Sequence, residues 1–457
     1  MHAMAPPLVK FLLPSALGVL FFLTPIQVDG KTTILVGALA SALGEFLGAM
    51  LPTLVVGLFV LSATFGVALT IANPHAASSL TRQLFVTTWG WLFLRCVGAV
   101  FAIFTFLQMG PEWIGGEATG QVALEIGGLI LCIMLLANYL LPLLAEFGFL
   151  EFIGVLLVRP FRFLFGLPGR AGLDAVTSWV GDSSVGALLT IRQYEEGAYT
   201  AREAAVVVTN FSAVSLPFTV VVTEIAKLEV GFLQFYSVVI LIGVVAALIT
   251  PRLPPLKGIA NKYRVELDTH GQEKGDCEGA SERVEEVHSG KDVGLFSAAF
   301  AAALRRAQNA PSVREILSRG TKSCLDIFIA VLPAAMAIEF IALVIHEYSS
   351  IFAWISYPLL PLLHLFAVAA PEQVLPGLLV GFLDQFVPAI IAQDIGAAQA
   401  RFVLAGLSVT QLIFIAENGA LVLRSSIPLN LGQLFVIFLW RTLIALPLLS
   451  LAAFLLH

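Results

Sequence analysis

Apolar residues dominate 8–25, 52–72, 88–108, 121–145, 202–225, 230–250, 323–345, 401–424 and 430–456. Such runs approach or exceed the ~20 residues that a helix needs to cross a bilayer. The pattern predicts an all-α, polytopic integral membrane protein with about nine transmembrane helices. Residues 33–50 are shorter and Gly-rich, and read as a half-helix or an interfacial segment. Residues 251–292 mix both charge signs with Gly and Pro, as a flexible hydrophilic linker does. The following LFSAAFAAALRRAQ (295–308) has an apolar face and ends near Arg305 and Arg306, which suits a helix lying on a membrane surface.

The segments then repeat. Each copy starts with a span (121–145; 323–345) and a short Pro-containing amphipathic piece (147–166; 348–366). Next comes a segment that must return to its own side (169–196; 371–396), and then two further spans. A segment that enters and leaves on one face is a re-entrant hairpin, and its non-helical tip is tolerated only where protein or a wet cavity surrounds it. The expected organisation is an N-terminal transmembrane region (1–110), a first repeat (121–250), a cytoplasmic linker with its surface helix (251–320) and a second repeat (321–457).

Charge orients the copies. Of 25 Lys and Arg, 12 lie between Arg252 and Lys322, and cationic loops stay in the cytoplasm. With that stretch inside, the N-terminus and Lys10 fall inside, while the loop 109–120 and the C-terminus fall outside. Lys31 is the one cation on the unexpected side. Residues 145–202 carry Arg159, Arg162, Arg170, Arg192 and Arg202, whereas 323–400 contain no Lys or Arg. The two copies should therefore enter from opposite faces. Inverted repeats with interrupted helices are the build of secondary transporters, which bind solute near the midplane.

Composition narrows the class further. The chain is 58% hydrophobic and 12% charged, about half the charge of a soluble domain. Its net charge of −6 sits largely in one loop and indicates no partner. No basic cluster interleaves with aromatics, so nucleic acid is not an expected partner. The four cysteines, at 96, 132, 277 and 324, form no CxxC pair and suggest neither a metal site nor disulfides. The run after Lys10 has no small-x-small cleavage site before Asp29 and reads as a retained helix.

Chemistry should sit at the hairpin tips and in the polar-centred spans behind them. The first tip, Gly181-Asp182-Ser183-Ser184, breaks helix propensity and supplies a carboxylate, two hydroxyls and free amides. The bland alternative is that a Ser simply caps the returning half-helix. The second tip is expected at Asp384-Gln385-Phe386-Val387-Pro388, where Pro removes a donor; Asp384 and Gln385 are candidate ligands there. In the span behind the first hairpin, Thr209, Ser212, Thr219 and Thr223 form a stripe, with Asn210 and Ser215 beside it. Such Ser and Thr stripes are more often helix-packing glue. In the second copy Gln411, Glu417 and Asn418 stand out, and Glu417-Asn418-Gly419 reads as a helix break. A carboxylate beside an amide inside a membrane has few structural excuses. Arg95, Arg441, Glu339 and Glu125 are read instead as snorkelling or interhelical pairs.

Hairpin, polar-centred span and oppositely oriented copy together resemble the nucleoside-transporter/FeoB gate (nucleoside recognition) domain. The stretch GLDAVTSWVGDSSVGALLTIRQYEEGAYTAREAAVVVTNFSAVSLPF is similar to the YjiH-type gate-domain membrane proteins. The resemblance is specific over about 120–250 and architectural over 323–456. It implies a multi-pass protein of a bacterial inner membrane, in contact with lipid and a small polar solute, with a homo-oligomer or a membrane-protein partner as further possibilities. In concentrative nucleoside transporters the tips and interrupted helices bind nucleoside and a coupling cation. By position that role would fall on Asp182, Ser183, Ser184, Asn210, Ser212 and Ser215, and on Asp384, Gln385, Glu417 and Asn418. The tip sequences differ from those transporters, so nucleoside specificity does not carry over.

The expected function is ion-coupled transport of a small polar metabolite (a nucleoside, an amino acid or a small peptide), driven by Na⁺ or H⁺ and with no cofactor. The competing reading is a non-transporting scaffold that uses 251–308 as a docking surface. An enzyme is not expected: an Asp182–Asp384 dyad lacks any other protease signature, and His346-Glu347 is not followed by a second zinc-binding His.

Overall fold

A computed structural model describes residues 7–28, 31–72, 79–180, 183–212, 214–263 and 294–456. The chain is an all-α membrane protein. Among the described residues six helices are long and apolar enough to span a bilayer: Met50–Ile71, Trp89–Phe106, Glu112–Ala145, Phe232–Arg252, Val313–Tyr348 and Leu431–Leu456. Pro7–Leu23 and Leu35–Leu47 are shorter apolar helices.

Two of the nine expected spans are not continuous. The run 202–225 divides into α1 (Ala201–Asn210) and α2 (Leu216–Ile225). The run 401–424 divides into α3 (Ala398–Thr410), a π-turn (Ile415–Gly419) and α4 (Ala420–Arg424). Pro217 explains the first interruption, because it has no N–H to give and fits only the first turn of a new helix. The second contains Leu412 at φ +63°, a left-handed conformation that costs a branched side chain free energy and stops the helix.

The segment 33–50 is helical from Leu35, behind a two-stranded antiparallel hairpin, β1 (Pro25–Val28) and β2 (Lys31–Ile34), paired Pro25↔Ile34 through Val28↔Lys31. The sequence carried a sign of it. Asp-Gly at 29–30 is among the strongest short-range hairpin signals.

Most of the 251–292 linker lies outside the described residues. The helix after it, α5 (Leu295–Gln308), does not present a free face. Ala299, Ala303 and Ala307 are buried, with Phe11, Phe152 and Phe300 packed about them. Arg306 pairs with Glu146 and with Glu151, and Arg319 reaches Glu146 at 3.2 Å.

Val313–Tyr348 is interrupted by a π-turn over Asp326–Val331. Pro333 lacks the N–H that would occupy the carbonyl of Ile329, and the Ser62 hydroxyl donates to that carbonyl instead at 2.6 Å. The next carbonyl, Ala330, receives Arg95 Nη2 at 2.8 Å and Nε at 3.2 Å. This helix and Trp89–Phe106 approach so closely that a Cβ at Gly98 would fall 2.2 Å from the Pro333 carbonyl oxygen.

Candidate functional site

Helix α1 is started firmly and stopped abruptly. Thr200 and Glu203 form a capping box, with Thr200 N–H donating to Glu203 Oε2 at 2.8 Å and Glu203 N–H to Thr200 Oγ1 at 3.2 Å. Ten residues on, α1 ends at Asn210. Helix α3 ends at Thr410. Between the two ends lies Arg441, on the last helix α6 (Leu431–Leu456) and fully buried. Its Nε donates to the Thr410 carbonyl and its Nη1 to Asn210 Oδ1, both at 2.8 Å. A cation is well placed there, since helix C-termini expose carbonyls and carry partial negative charge.

The interruptions also touch each other. Asn418 Nδ2 donates to the Ser212 carbonyl at 3.2 Å, linking the break of one half to that of the other. The second hairpin is laced to the same place. Its helices are Pro371–Val374, Gly377–Val380 and Val387–Gln393, with the non-helical stretch between Gly381 and Phe386 and Pro388 in the first turn of the returning helix. Ile415 N–H and Ala416 N–H donate to the carbonyls of Phe382 and Leu383, at 2.9 and 3.0 Å. The Ser408 hydroxyl donates to the Gln385 carbonyl at 2.7 Å. Gln411 Nε2 donates to the Leu378 carbonyl and to Thr442 Oγ1.

Seven of the sequence candidates are buried at or beside this crossing: Asn210, Ser212, Ser215, Asp384, Gln385, Gln411 and Asn418. Four of them keep a buried polar atom with no protein partner, namely Ser212 Oγ, Gln385 Oε1, Gln411 Oε1 and Asn418 Oδ1. Unpartnered buried polar atoms are uncommon enough to need a reason. Asn210, by contrast, is fully occupied, its Nδ2 donating to Val206 O and Thr209 Oγ1. Thr209, Thr219 and Thr223 turn their hydroxyls back onto carbonyls of their own helices, which leaves them a packing role. Asp384 accepts from Phe386 N–H at 2.8 Å in a local turn. Ser183 and Ser184 open the helix Ser183–Glu195; Glu417 lies in the π-turn. The side chains of these three, and the whole of Asp182, lie outside the described residues.

Three further groups escape a reading by sequence alone. Arg95 and Arg441 do not snorkel, being 2% and 0% exposed. Glu339 is also buried, with Oε1 unpartnered, and lies close enough to Asp384 for the two carboxyls to interact. Asp174 binds the Tyr199 hydroxyl at 2.7 Å and Gln193 Nε2 at 3.2 Å, which ties the first hairpin to the start of α1. The signal for the first three was a lone charge within an apolar run. No group of three or more His, Cys, Asp or Glu gathers among the described residues as a metal site would require.

A family model described as "Gate: Nucleoside recognition" matches residues 129–229, the stretch that holds the first hairpin and both halves of the first interrupted helix. An uncharacterized protein of Alkalihalophilus pseudofirmus is 40% identical over 442 residues, 96% of this chain and 92% of that protein. The chain belongs to the nucleoside-recognition gate family. No solved structure matches it. The crossing of α1 and α3 thus joins the matched gate segment to residues beyond it, since Gln411, Asn418 and Arg441 all lie outside 129–229.

Proposed function

We propose that this gate-family protein is an ion-coupled secondary transporter of a small polar metabolite. The observation that supports it best is the buried meeting of two interrupted helices, with unpartnered polar atoms on Ser212, Gln385, Gln411 and Asn418. Interrupted helices that face each other are how secondary transporters bring backbone dipoles and polar side chains to a solute at membrane depth. In this reading 169–196 and 371–396 are re-entrant hairpins in oppositely oriented repeats. The solute meets Asp182, Ser183 and Ser184 at the first tip, and Asp384, Gln385, Glu417 and Asn418 from the second half.

Glu339 beside Asp384 is the natural place for the coupling ion. Two neighbouring buried carboxyls repel when both are charged, and a shared H⁺ or Na⁺ relieves that repulsion. The scaffold reading is weakened because α5, its candidate docking surface, is already packed against Phe11 and Phe152.

Purified protein reconstituted in liposomes should accumulate solute only under an imposed H⁺ or Na⁺ gradient. Replacing Asn418 or Ser212 with Ala should abolish uptake while leaving the protein monodisperse in detergent. Gradient-independent flux, or undiminished uptake by both variants, would sink the proposal.

A further inference from the structure

Arg441 makes two hydrogen bonds through one side of its guanidinium and leaves the other side unused. Nη2 has no protein partner, although the side chain is fully buried. No ion pair to Arg441 occurs among the described residues. The ends of α1 and α3 explain how the charge persists in such a place: their carbonyls and partial negative charges face Nε and Nη1. They do not use Nη2.

A cavity of about 30 Å³ opens here, room enough for one water-sized group, and Arg441, Asn210, Thr410, Trp179, Tyr236 and Val239 are among its walls. Trp179 Nε1 is likewise buried without a partner, and the Tyr236 hydroxyl holds the Trp179 carbonyl at 3.2 Å. Both unpartnered polar atoms on these walls are therefore N–H donors, a cationic one and a neutral one. The other walls are Val214, Ile240, Gly243, Val409 and Leu412.

We infer that Arg441 and Trp179 form the recognition site for a carboxylate, so that the transported solute is a small monocarboxylate or a zwitterion bearing one. The inference rests on the transport reading above and narrows its substrate class, removing neutral nucleosides. Donors with no acceptor of their own select a negatively charged acceptor. A planar guanidinium matches a planar carboxylate better than any other anion of that size, and its hydrogen bonds to a charged acceptor are the stronger kind. A phosphate dianion would bring a second charge into a site with one cation and apolar walls, where it would stay uncompensated. The interrupted helices supply the rest of the specificity: Asn418 Oδ1, Gln385 Oε1 and Gln411 Oε1 are all unpartnered acceptors, suited to an ammonium or hydroxyl elsewhere on the solute.

The test uses the full chain in nanodiscs, with butyrate, its neutral isostere butyramide, and inorganic phosphate as probes. Butyrate should raise the thermal unfolding midpoint in a concentration-dependent way, as a ligand of the native state does, while butyramide and phosphate should leave it unchanged. Arg441→Lys keeps the charge but loses the fork, and should weaken the butyrate response about tenfold. Trp179→Phe disturbs no buried charge and should weaken it by a factor of about three to ten. Equal responses to butyrate and butyramide would overturn the assignment, as would a larger response to phosphate or a Trp179→Phe variant that binds butyrate as the wild type does. Liposome flux separates this failure from that of transport. Gradient-driven accumulation of a neutral nucleoside without butyrate binding would overturn the carboxylate site alone. Butyrate binding without gradient-driven flux would keep the site and overturn transport.

Discussion

Two arginines are buried in this membrane protein to almost the same degree, and they are satisfied in different ways. Arg95 spends all three nitrogens on backbone: Nε and Nη2 on the Ala330 carbonyl, Nη1 on the carbonyls of Leu84 and Phe85. Asp326 is near enough to act on its charge. Arg441 uses two nitrogens, on Thr410 and Asn210, and no carboxylate among the described residues interacts with it. The first closes a fault in one helix, where Pro333 and the π-turn leave carbonyls exposed. The second stands between the ends of two different helices and keeps donor capacity in reserve. Burial alone therefore does not distinguish a staple from a binding group; the count of unmade bonds does.

The largest expected effect breaks the comparison directly. Arg95→Met removes the donors for Ala330 and Leu84 and a counter-charge from Asp326. It should cost about 3–5 kcal/mol, the range for removing one partner of a buried charge arrangement, read as loss of folded protein in a detergent thermal melt. Arg441→Met leaves one carbonyl and one amide oxygen unpaired and should cost about 1–3 kcal/mol, with solute binding lost before the fold. If Arg441→Met proves the more destabilising of the two, Arg441 is the structural staple and the contrast is reversed.

How much of this was legible beforehand depended on the range of the physics. The apolar runs are local, so all-α membrane architecture followed from composition and length. Pro217 and the Glu417-Asn418-Gly419 cluster marked breaks because each carries its reason within a few residues. Leu412 gave no such sign, since a leucine at positive φ is imposed by its surroundings and not by propensity. Arg441 was assigned to snorkelling because its partners are remote in sequence: Thr410 is 31 residues away and Asn210 is 231. The same distance hid the pairing of Glu339 with Asp384.

Two glycines sharpen the contrast at a smaller scale. On the Arg95 side, a Cβ at Gly98 would lie 2.2 Å from the Pro333 carbonyl oxygen, a backbone atom that cannot step aside without moving its helix. On the Arg441 side, a Cβ at Gly381 would lie 2.4 Å from Gln411 Oε1, the end of a side chain. Gly98→Ala should therefore destabilise by about 1–3 kcal/mol or more, and Gly381→Ala by less. Gly381→Ala should nevertheless impair uptake, because Gln411 must give up its bonds to Leu378 and Thr442 to make room. Equal melting points for the two variants would mean that the Gly98 crossing is as yielding as the Gly381 one.

Ser62→Ala tests whether the staple is shared. The hydroxyl supplies the Ile329 carbonyl next to the one that Arg95 holds. Its loss should cost about 1 kcal/mol on its own. Combined with Arg95→Lys it should cost more than the sum of the single changes, because both groups close the same fault. Strict additivity in a double-mutant cycle would show that Ser62 and Arg95 act as independent contacts.

The smallest effect lies at the start of the same long helix, outside the membrane. Ser312 caps it, and Glu315 accepts from the Ser312 N–H at 2.8 Å and from its hydroxyl at 3.1 Å. Those bonds favour the ionised carboxylate and hold its pKa below the ordinary glutamate value. Because the folded value is depressed, the contribution is present above the unfolded carboxyl range and fades as pH falls through the folded value. Acid should thus speed hydrogen exchange at Val313–Ile316 in the wild type, and Glu315→Gln should remove that pH dependence. If Arg95 pins the helix at Ala330, the loosening stops short of the π-turn, and exchange beyond Leu332 keeps its neutral-pH protection. Exchange that rises together on both sides of the turn would mean that the two halves of the helix open as one unit and that Arg95 divides nothing.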